Sequence, residues 1–181
     1  MSESSKWIVT NSERVHENPW FSVRKDELEI GESSGTYYVV ERVPAAVAIA
    51  EDADENLFVI RQYRYPVGTT TLDFPVGRID PESDPLETAR HELLEEAGVS
   101  AKQWDSLGTF FPSVGLTSEK TFVFLARDLS VDLPSSNEMM EDIRVERISY
   151  KGLCRMLPET DASGFFLSSL RLYERWKAEN V

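Results

Sequence analysis

The pattern of apolar and polar positions divides the first half of the chain into short strands and turns. β-Branched and aromatic residues in GTYYVVER, residues 35–42, predict a strand. The apolar run at 43–50 predicts a buried strand, and the polar turn at 51–56 leads into a partner strand at 57–63, so that the pair forms a hairpin. Further strands are predicted at 69–74, 104–111, 121–126 and 143–148.

The clearest helix signal lies between residues 84 and 98. Asp84 suits the N-cap, Pro85 suits the first helical position, and Glu87 completes the sequence pattern of a capping box. Gly98 is a typical C-terminal stop. Apolar residues recur at spacings of three and four, namely Leu86, Ala89, Leu93 and Ala97. This periodicity predicts a helix with one face packed on the core.

The rest of the chain supplies loops and two closing helices. Residues 75–85 are predicted to form a loop, and residues 134–142 are polar and loop-like. The closing helices are predicted at 150–156 and 165–178. Strands and helices without regular βαβ alternation indicate an α+β fold or a mixed-sheet sandwich.

Composition narrows the class of protein. Hydrophobic residues make up 41% of 181 residues, enough for a sizeable core, and the formal net charge is -13. This charge disfavours binding to a nucleic acid duplex or to an anionic membrane. The single cysteine, Cys154, excludes an internal disulfide framework, and the apolar run at 43–50 is too short to span a bilayer. With no apolar signal core in the first twenty residues, we expect a cytoplasmic protein.

Three glutamates crowd the predicted helix. Glu92 lies three and four positions before Glu95 and Glu96, so the three carboxylates are neighbours on a helix. Like charges at this spacing repel one another. A solvated acidic face is one explanation, and a site for a hard cation such as Mg²⁺, which prefers carboxylate oxygens, is the other.

The segment GRIDPESDPLETARHELLEEAGV, residues 77–99, resembles the Nudix box. That pattern is G, five residues, E, seven residues, R-E, an aliphatic, any residue, E-E, any residue, G and an aliphatic. The positions that match in register are Gly77, Glu92, Leu93, Glu95, Glu96, Gly98 and Val99. Two positions depart from it, because Ser83 replaces the loop glutamate and His91 replaces the arginine that orients a glutamate in the family.

The resemblance extends beyond the box. Residues 18–30 and 61–80 are similar to the Nudix subgroup that hydrolyses ADP-ribose and related nucleoside diphosphate sugars. It implies an α+β Nudix fold, with a mixed β-sheet sandwiched between helices and an N-terminal antiparallel β-module. The module would cover residues 1–42 and form a homodimer, and the catalytic domain would cover residues 43–181.

The same resemblance implies roles for individual residues. The metal ligands for Mg²⁺, with Mn²⁺ as the alternative, would be the Val76 carbonyl, Glu92, Glu95 and Glu96. The substrate-binding residues would be Arg64, Arg42, Tyr37 and Trp20. The catalytic residues would be Glu119 as general base, Glu96 and Glu95. Sheet or dimer packing is the alternative for Tyr37 and Trp20, a surface ion pair for Arg64, and a solvated loop position for Glu119.

The expected activity is metal-dependent hydrolysis of the pyrophosphate bond of a nucleoside diphosphate sugar, with ADP-ribose foremost, to a nucleoside monophosphate and a sugar phosphate. Asp73 stands where the subgroup has glutamate, and Val114 stands where a proline accompanies ADP-ribose preference. The alternatives are therefore another Nudix substrate (a GDP-sugar, NADH or a nucleoside triphosphate), or a catalytically weak nucleotide-sugar sensor, which Ser83 and His91 motivate. Glu141 is a further acidic candidate.

Overall fold

The computed structural model describes residues 7–131 and 143–180, and these form two compact units. The first unit holds the described residues up to Val43 together with Phe111–Glu119. The second unit holds the remaining described residues. The predicted loop at 134–142 and the acidic candidate Glu141 lie outside the described residues.

The first unit contains an antiparallel sheet of three strands in the order β1-β2-β3. The strands are β1 Trp7–Glu17, β2 Ser22–Ile30 and β3 Ser33–Glu41. This sheet confirms the predicted N-terminal antiparallel β-module, whereas its role in a dimer stays a prediction. β1 was not located from the sequence, because every one of its side chains is exposed and no period-two pattern marks a buried face.

The second unit contains a mixed sheet of seven strands. Its main path runs β10-β5-β4-β9-β8, while β6 pairs with β5 and β7 pairs with β4. The strands are β4 Ala45–Glu51, β5 Asn56–Arg64, β6 Thr69–Asp73, β7 Val76–Arg78, β8 Val99–Phe110, β9 Thr121–Val131 and β10 Ile143–Ser149. β4 and β9 are parallel and the other pairs are antiparallel, so the sheet is mixed, as predicted.

Helices cover both faces of this sheet. They are α1 Pro85–Ala97, α2 Tyr150–Met156 and α3 Gly164–Asn180, with a 3-10 turn at Leu157–Glu159. Along the buried strand β4, Val47 and Ile49 pack in one apolar cluster with residues of α3. The intervening alanines of β4, Ala46 and Ala48, pack in a second cluster with Ala89 and Leu93 of α1. This alternation across β4 confirms the predicted sheet between helices.

The structure corrects several predicted boundaries. The predicted loop at 75–85 contains the short strand β7. A strand of three residues is too short to show a recognisable period-two pattern in the sequence. β8 begins at Val99 and β9 runs to Val131, because their polar ends continue the antiparallel ladder between Val99 and Val131. Among the described residues, none of the helices is long and apolar enough to cross a membrane.

Candidate metal and substrate site

Helix α1 carries the crowded glutamates, and its two ends fix their register. The Asp84 side chain accepts hydrogen bonds from the backbone N–H groups of Leu86 at 2.8 Å and Glu87 at 3.2 Å. At the other end, Gly98 adopts a left-handed φ of 65° and donates to carbonyls of the last turn. The predicted helix, with its cap, its first residue and its stop, is confirmed.

The glycine at the start of the box, Gly77, lies directly against Glu92 of the helix. A Cβ atom built on Gly77 would overlap the carboxylate of Glu92. Gly77 lies on β7 and pairs with Ala46 of β4, so its backbone position is set by the sheet. The absence of a side chain at Gly77 therefore makes the space that the Glu92 carboxylate fills.

Glu96 is held by the same strand through a backbone contact. The Val76 N–H donates to Glu96 Oε2 at 2.9 Å, and Glu96 is only 9% exposed. Two of the predicted metal ligands, Val76 and Glu96, are thus brought together. The contact uses the N–H of Val76, whereas the ligand atom predicted for this residue is its carbonyl oxygen.

A second group of donors lies on the more exposed side of α1. One potential ligand atom from each of His91, Glu92 and Glu95 lies within 4.8 Å of the other two, and His91 Nδ1 is 3.1 Å from Glu95 Oε2. They border a cavity of about 350 Å³. Its lining residues are Arg78, Asp80, Ser83, Glu87, Thr88, His91, Glu92 and Glu95.

These donors fit a hard divalent cation. Carboxylate oxygens are the ligands that Mg²⁺ and Mn²⁺ prefer, and the group contains two carboxylates next to a third, that of Glu96. The sequence-based ligand set did not include His91, although its spacing of four residues from Glu95 on a helix was a usable signal. No local pattern predicted that Arg78 and Asp80 would reach this cavity, since β7 was not recognised.

Arg64, a predicted substrate residue, lies beside a buried carboxylate. Its Nη2 atom is 3.7 Å from Oδ2 of Asp73, which is 2% exposed. Burial raises the pKa of Asp73 to about 6, while a hydrogen bond with Ser163, the charge of Arg64 and the Phe74 N–H oppose this increase. Asp73 occupies the position where glutamate was expected, and its contacts are with Arg64, Phe74 and Ser163.

The first unit holds the other predicted functional residues. Arg42 Nη1 forms an ion pair with Glu119 Oε2 at 3.1 Å, and the Tyr37 hydroxyl donates to the Gly115 carbonyl at 2.7 Å. Glu119 is 3% exposed, so the alternative of a solvated loop glutamate does not fit its environment. Burial raises the pKa of Glu119, and the charge of Arg42 opposes that shift. Trp20 is 67% exposed in the turn before β2.

Comparison with known proteins establishes the class. The NUDIX domain family matches residues 41–162, so the chain belongs to the Nudix family. The chain is 33% identical to an ADP-ribose pyrophosphatase of Bacillus subtilis over 122 aligned residues. These residues cover 67% of this chain and 65% of that protein. It is 32% identical to an ADP-ribose pyrophosphatase of Mycobacterium tuberculosis over 121 aligned residues. These residues cover 66% of this chain and 58% of that protein. The match thus spans less than two thirds of both relatives.

Two further comparisons concern ADP compounds hydrolases. The chain is 33% identical to the Escherichia coli ADP compounds hydrolase NudE over 134 aligned residues, and these residues cover 71% of each protein. A crystal structure of an ADP compounds hydrolase superposes with a TM-score of 0.84 and 24% identity, and the match covers 99% of both chains. This superposition confirms the Nudix fold.

Proposed function

We propose that the protein is a divalent-metal-dependent hydrolase that cleaves the pyrophosphate bond of a nucleoside diphosphate sugar, with ADP-ribose as the leading substrate. The observation that carries the proposal is the arrangement around α1, where Gly77 makes room for Glu92 and the Val76 N–H holds Glu96. The Bacillus and Mycobacterium relatives are ADP-ribose pyrophosphatases, which supports the choice of substrate.

In this proposal the metal ligands are Glu92, Glu95 and Glu96 of α1 and the Val76 carbonyl. They would hold Mg²⁺, or Mn²⁺ as the alternative. When bound, the cation offsets the charge of the diphosphate and lowers the pKa of water that it contacts. It also offsets the repulsion among Glu92, Glu95 and Glu96, which the helix spacing forces together.

The protein's own groups would bind the substrate and move a proton. Arg64 and Arg42 would hold phosphate oxygens, and Tyr37 and Trp20 would stack on the base. Glu119 would accept the proton of the attacking water, with Glu96 or Glu95 as the alternative base. The water oxygen bonds to one phosphorus while the bridging P–O bond breaks, which yields a nucleoside monophosphate and a sugar phosphate.

A substrate panel tests the proposal. Purified protein is incubated with ADP-ribose, a GDP-sugar, NADH and a nucleoside triphosphate, each with Mg²⁺ or Mn²⁺, and the products are identified by chromatography and mass spectrometry. We expect ADP-ribose to give AMP and ribose 5-phosphate. If another compound of the panel is hydrolysed faster than ADP-ribose, the proposed reaction stands and the proposed substrate is wrong.

A matched pair of variants links this activity to α1. Glu92→Gln removes a proposed ligand, and we expect it to lower kcat/KM by roughly 100-fold or more. Glu159→Gln makes the same chemical change at an exposed glutamate of the 3-10 turn and serves as the control. Equal activity of the two variants would contradict the proposed metal site.

One observation favours a second candidate, a nucleotide-sugar sensor. His91 stands in the place of the family's arginine and contacts Glu95, so the orientation of a proposed ligand depends on a histidine. The sensor predicts tight binding of ADP-ribose by calorimetry with no turnover under any divalent metal. Turnover in the substrate panel would rule it out.

We further propose that the protein is a cytoplasmic homodimer, assembled through the first unit. Exposed apolar side chains on β1, including Trp7, Ile8 and Val9, support this proposal. Sedimentation velocity across a concentration series tests the assembly. A monomer at every concentration would contradict it.

A further inference from the structure

We propose that Arg42 and Tyr37 are positioning residues that fix the segment Phe111–Glu119, and with it the Glu119 carboxylate, in addition to any contact they make with substrate. The inference rests on the proposed function in one respect, since it assigns Glu119 the role of base. The contacts that support it all lie within the first unit.

The backbone of this segment is attached to the end of strand β3. The Val40 N–H donates to the Leu116 carbonyl at 2.9 Å, and the Ser118 N–H donates to the Val40 carbonyl at 3.2 Å. The Arg42 N–H donates to Ser118 Oγ at 3.3 Å. These bonds fix the chain immediately before Glu119 and leave its side chain to be oriented by a side-chain partner.

Two side chains then hold the segment at positions four residues apart. The Tyr37 hydroxyl donates to the Gly115 carbonyl, and the Arg42 guanidinium pairs with the Glu119 carboxylate. The turn around Gly115 is closed by the Ser113 carbonyl, which accepts from the Thr117 N–H at 2.9 Å. Tyr37 therefore secures the middle of the segment and Arg42 secures its functional end.

The ion pair has an electrostatic consequence because the two partners differ in exposure. The Glu119 side chain is 4% exposed, whereas that of Arg42 is 40% exposed. A buried carboxylate favours its neutral form unless a cation lies nearby. Among the described charged groups, Arg42 is the one whose charge lowers the pKa of Glu119, and the neighbouring Lys120 lies over the Phe122 ring instead.

This arrangement suits a base that must be ionised before it accepts a proton. The guanidinium pairs with Oε2 of Glu119. We assign the other carboxylate oxygen, Oε1, to the water molecule, since each carboxylate oxygen can accept hydrogen bonds of its own. A guanidinium has five N–H donors in a planar fork, so Arg42 can contact Glu119 along one edge and a phosphate along another. Both tasks of Arg42 are therefore compatible.

The decisive experiment measures the titration of Glu119 without relying on turnover. Protein labelled with ¹³C at glutamate carboxyls is titrated by NMR, and the Glu119 signal is assigned as the one absent from Glu119→Gln. In Arg42→Gln we expect the Glu119 pKa to rise, and in Arg42→Lys to return towards the parent value. An unchanged Glu119 titration in Arg42→Gln, in a protein with parent-like NMR dispersion, overturns the inference.

Kinetics and hydrogen exchange complete the test. We expect Arg42→Gln to lower kcat by on the order of 10-fold and to move the acidic limb of its pH profile to higher pH. Arg42→Gln could instead raise KM and leave both the acidic limb and the Glu119 titration unchanged. That result would assign Arg42 to substrate binding alone and overturn the inference. Tyr37→Phe, which removes one hydroxyl, should speed amide exchange across Leu116–Ser118, and unchanged exchange there overturns the role of Tyr37.

The NMR titration and the exchange rates do not depend on turnover, so they can fail separately from the proposed function. If no compound in the panel is hydrolysed, the proposed function fails while the NMR titration and the exchange rates still report on Arg42 and Tyr37. If hydrolysis occurs and the Glu119 titration is the same in the parent and in Arg42→Gln, the positioning role is wrong while the proposed function stands.

Discussion

Helix α1 and the segment Phe111–Glu119 each carry a nearly buried glutamate, but the two carboxylates are held by different kinds of partner. Glu96 of α1 accepts a hydrogen bond from the Val76 backbone, whereas Glu119 pairs with the Arg42 guanidinium. A backbone N–H carries no net charge, so its contact leaves the charge of the carboxylate in place. A guanidinium offsets that charge.

The difference indicates two distinct chemical uses. The Val76 N–H orients the Glu96 carboxylate without contributing a charge of its own, which suits Glu96 as a metal ligand. A carboxylate paired with an arginine is stabilised as a base, which suits Glu119. The backbone contact also depends on the fold of β7, while the ion pair depends on a single side chain, so the two sites should respond differently to substitution.

The largest expected effect comes from Glu96→Gln. The glutamine carbonyl can still accept from the Val76 N–H, so the fold is retained while the ligand charge is lost. We expect kcat/KM to fall by roughly 100- to 1000-fold, because a metal ion contributes several kcal/mol to such reactions. Steady-state kinetics at several Mg²⁺ concentrations measure the change. Activity within about threefold of the parent would falsify the metal role of Glu96.

Gly77→Ala sharpens the comparison by displacing a ligand without removing it. The added Cβ would overlap the end of the Glu92 side chain, which can rotate away at little cost to the fold. We expect activity to fall by about 10- to 100-fold, the usual range when the orientation of a ligand is lost. The midpoint of urea unfolding should change little. A large loss of stability would show that Gly77 serves the sheet instead.

Asp73→Asn examines a third buried carboxylate. Like Glu96, Asp73 accepts a hydrogen bond from a backbone N–H, that of Phe74, and like Glu119 it lies beside an arginine, Arg64. Its folded pKa of about 6 lies above the ordinary 3.8, so the folded state binds the proton more tightly than the unfolded state. The contribution of Asp73 to stability is therefore fully present below about pH 4 and is lost as pH rises to about 6. The loss is on the order of 3 kcal/mol.

Urea unfolding across this pH window measures the effect. The parent protein should lose stability relative to Asp73→Asn as pH rises from about 4 to about 6. Asp128→Asn is the matched control, because Asp128 is exposed and asparagine tolerates its left-handed φ of 55°. Parallel stability curves for the parent and Asp73→Asn would contradict the raised pKa.

The sequence predicted those parts of the fold that have local signals. Asp84, Pro85 and Gly98 specify the ends of α1, because caps act over one turn. The buried run of β4 was equally clear. β1 carries no such signal because neither face of its strand is buried, and β7 is only three residues long.

The candidate site was predictable to a similar degree. The spacing of Glu92 and Glu95 implied that they are neighbours, which the structure confirms. The contact between Gly77 and Glu92 joins residues on different elements, and the resemblance to the Nudix box gave their spacing without the physical reason. The ion pair of Arg42 with Glu119 depends on tertiary structure, so residue types could suggest two functional groups but not that they meet.

The smallest expected effect is that of His91→Arg, which adds a fixed charge to the exposed side of α1. An arginine is charged throughout the physiological range, whereas a histidine is charged only when protonated. Because His91 already contacts Glu95, we expect kcat at neutral pH to rise by no more than about threefold, the scale of an exposed ion pair. His91→Gln, which keeps a neutral hydrogen-bonding group, is the control. A rise in His91→Arg alone would show that the natural site is weakened by a missing charge, whereas a fall would show that the imidazole itself holds Glu95 in the geometry that the reaction needs.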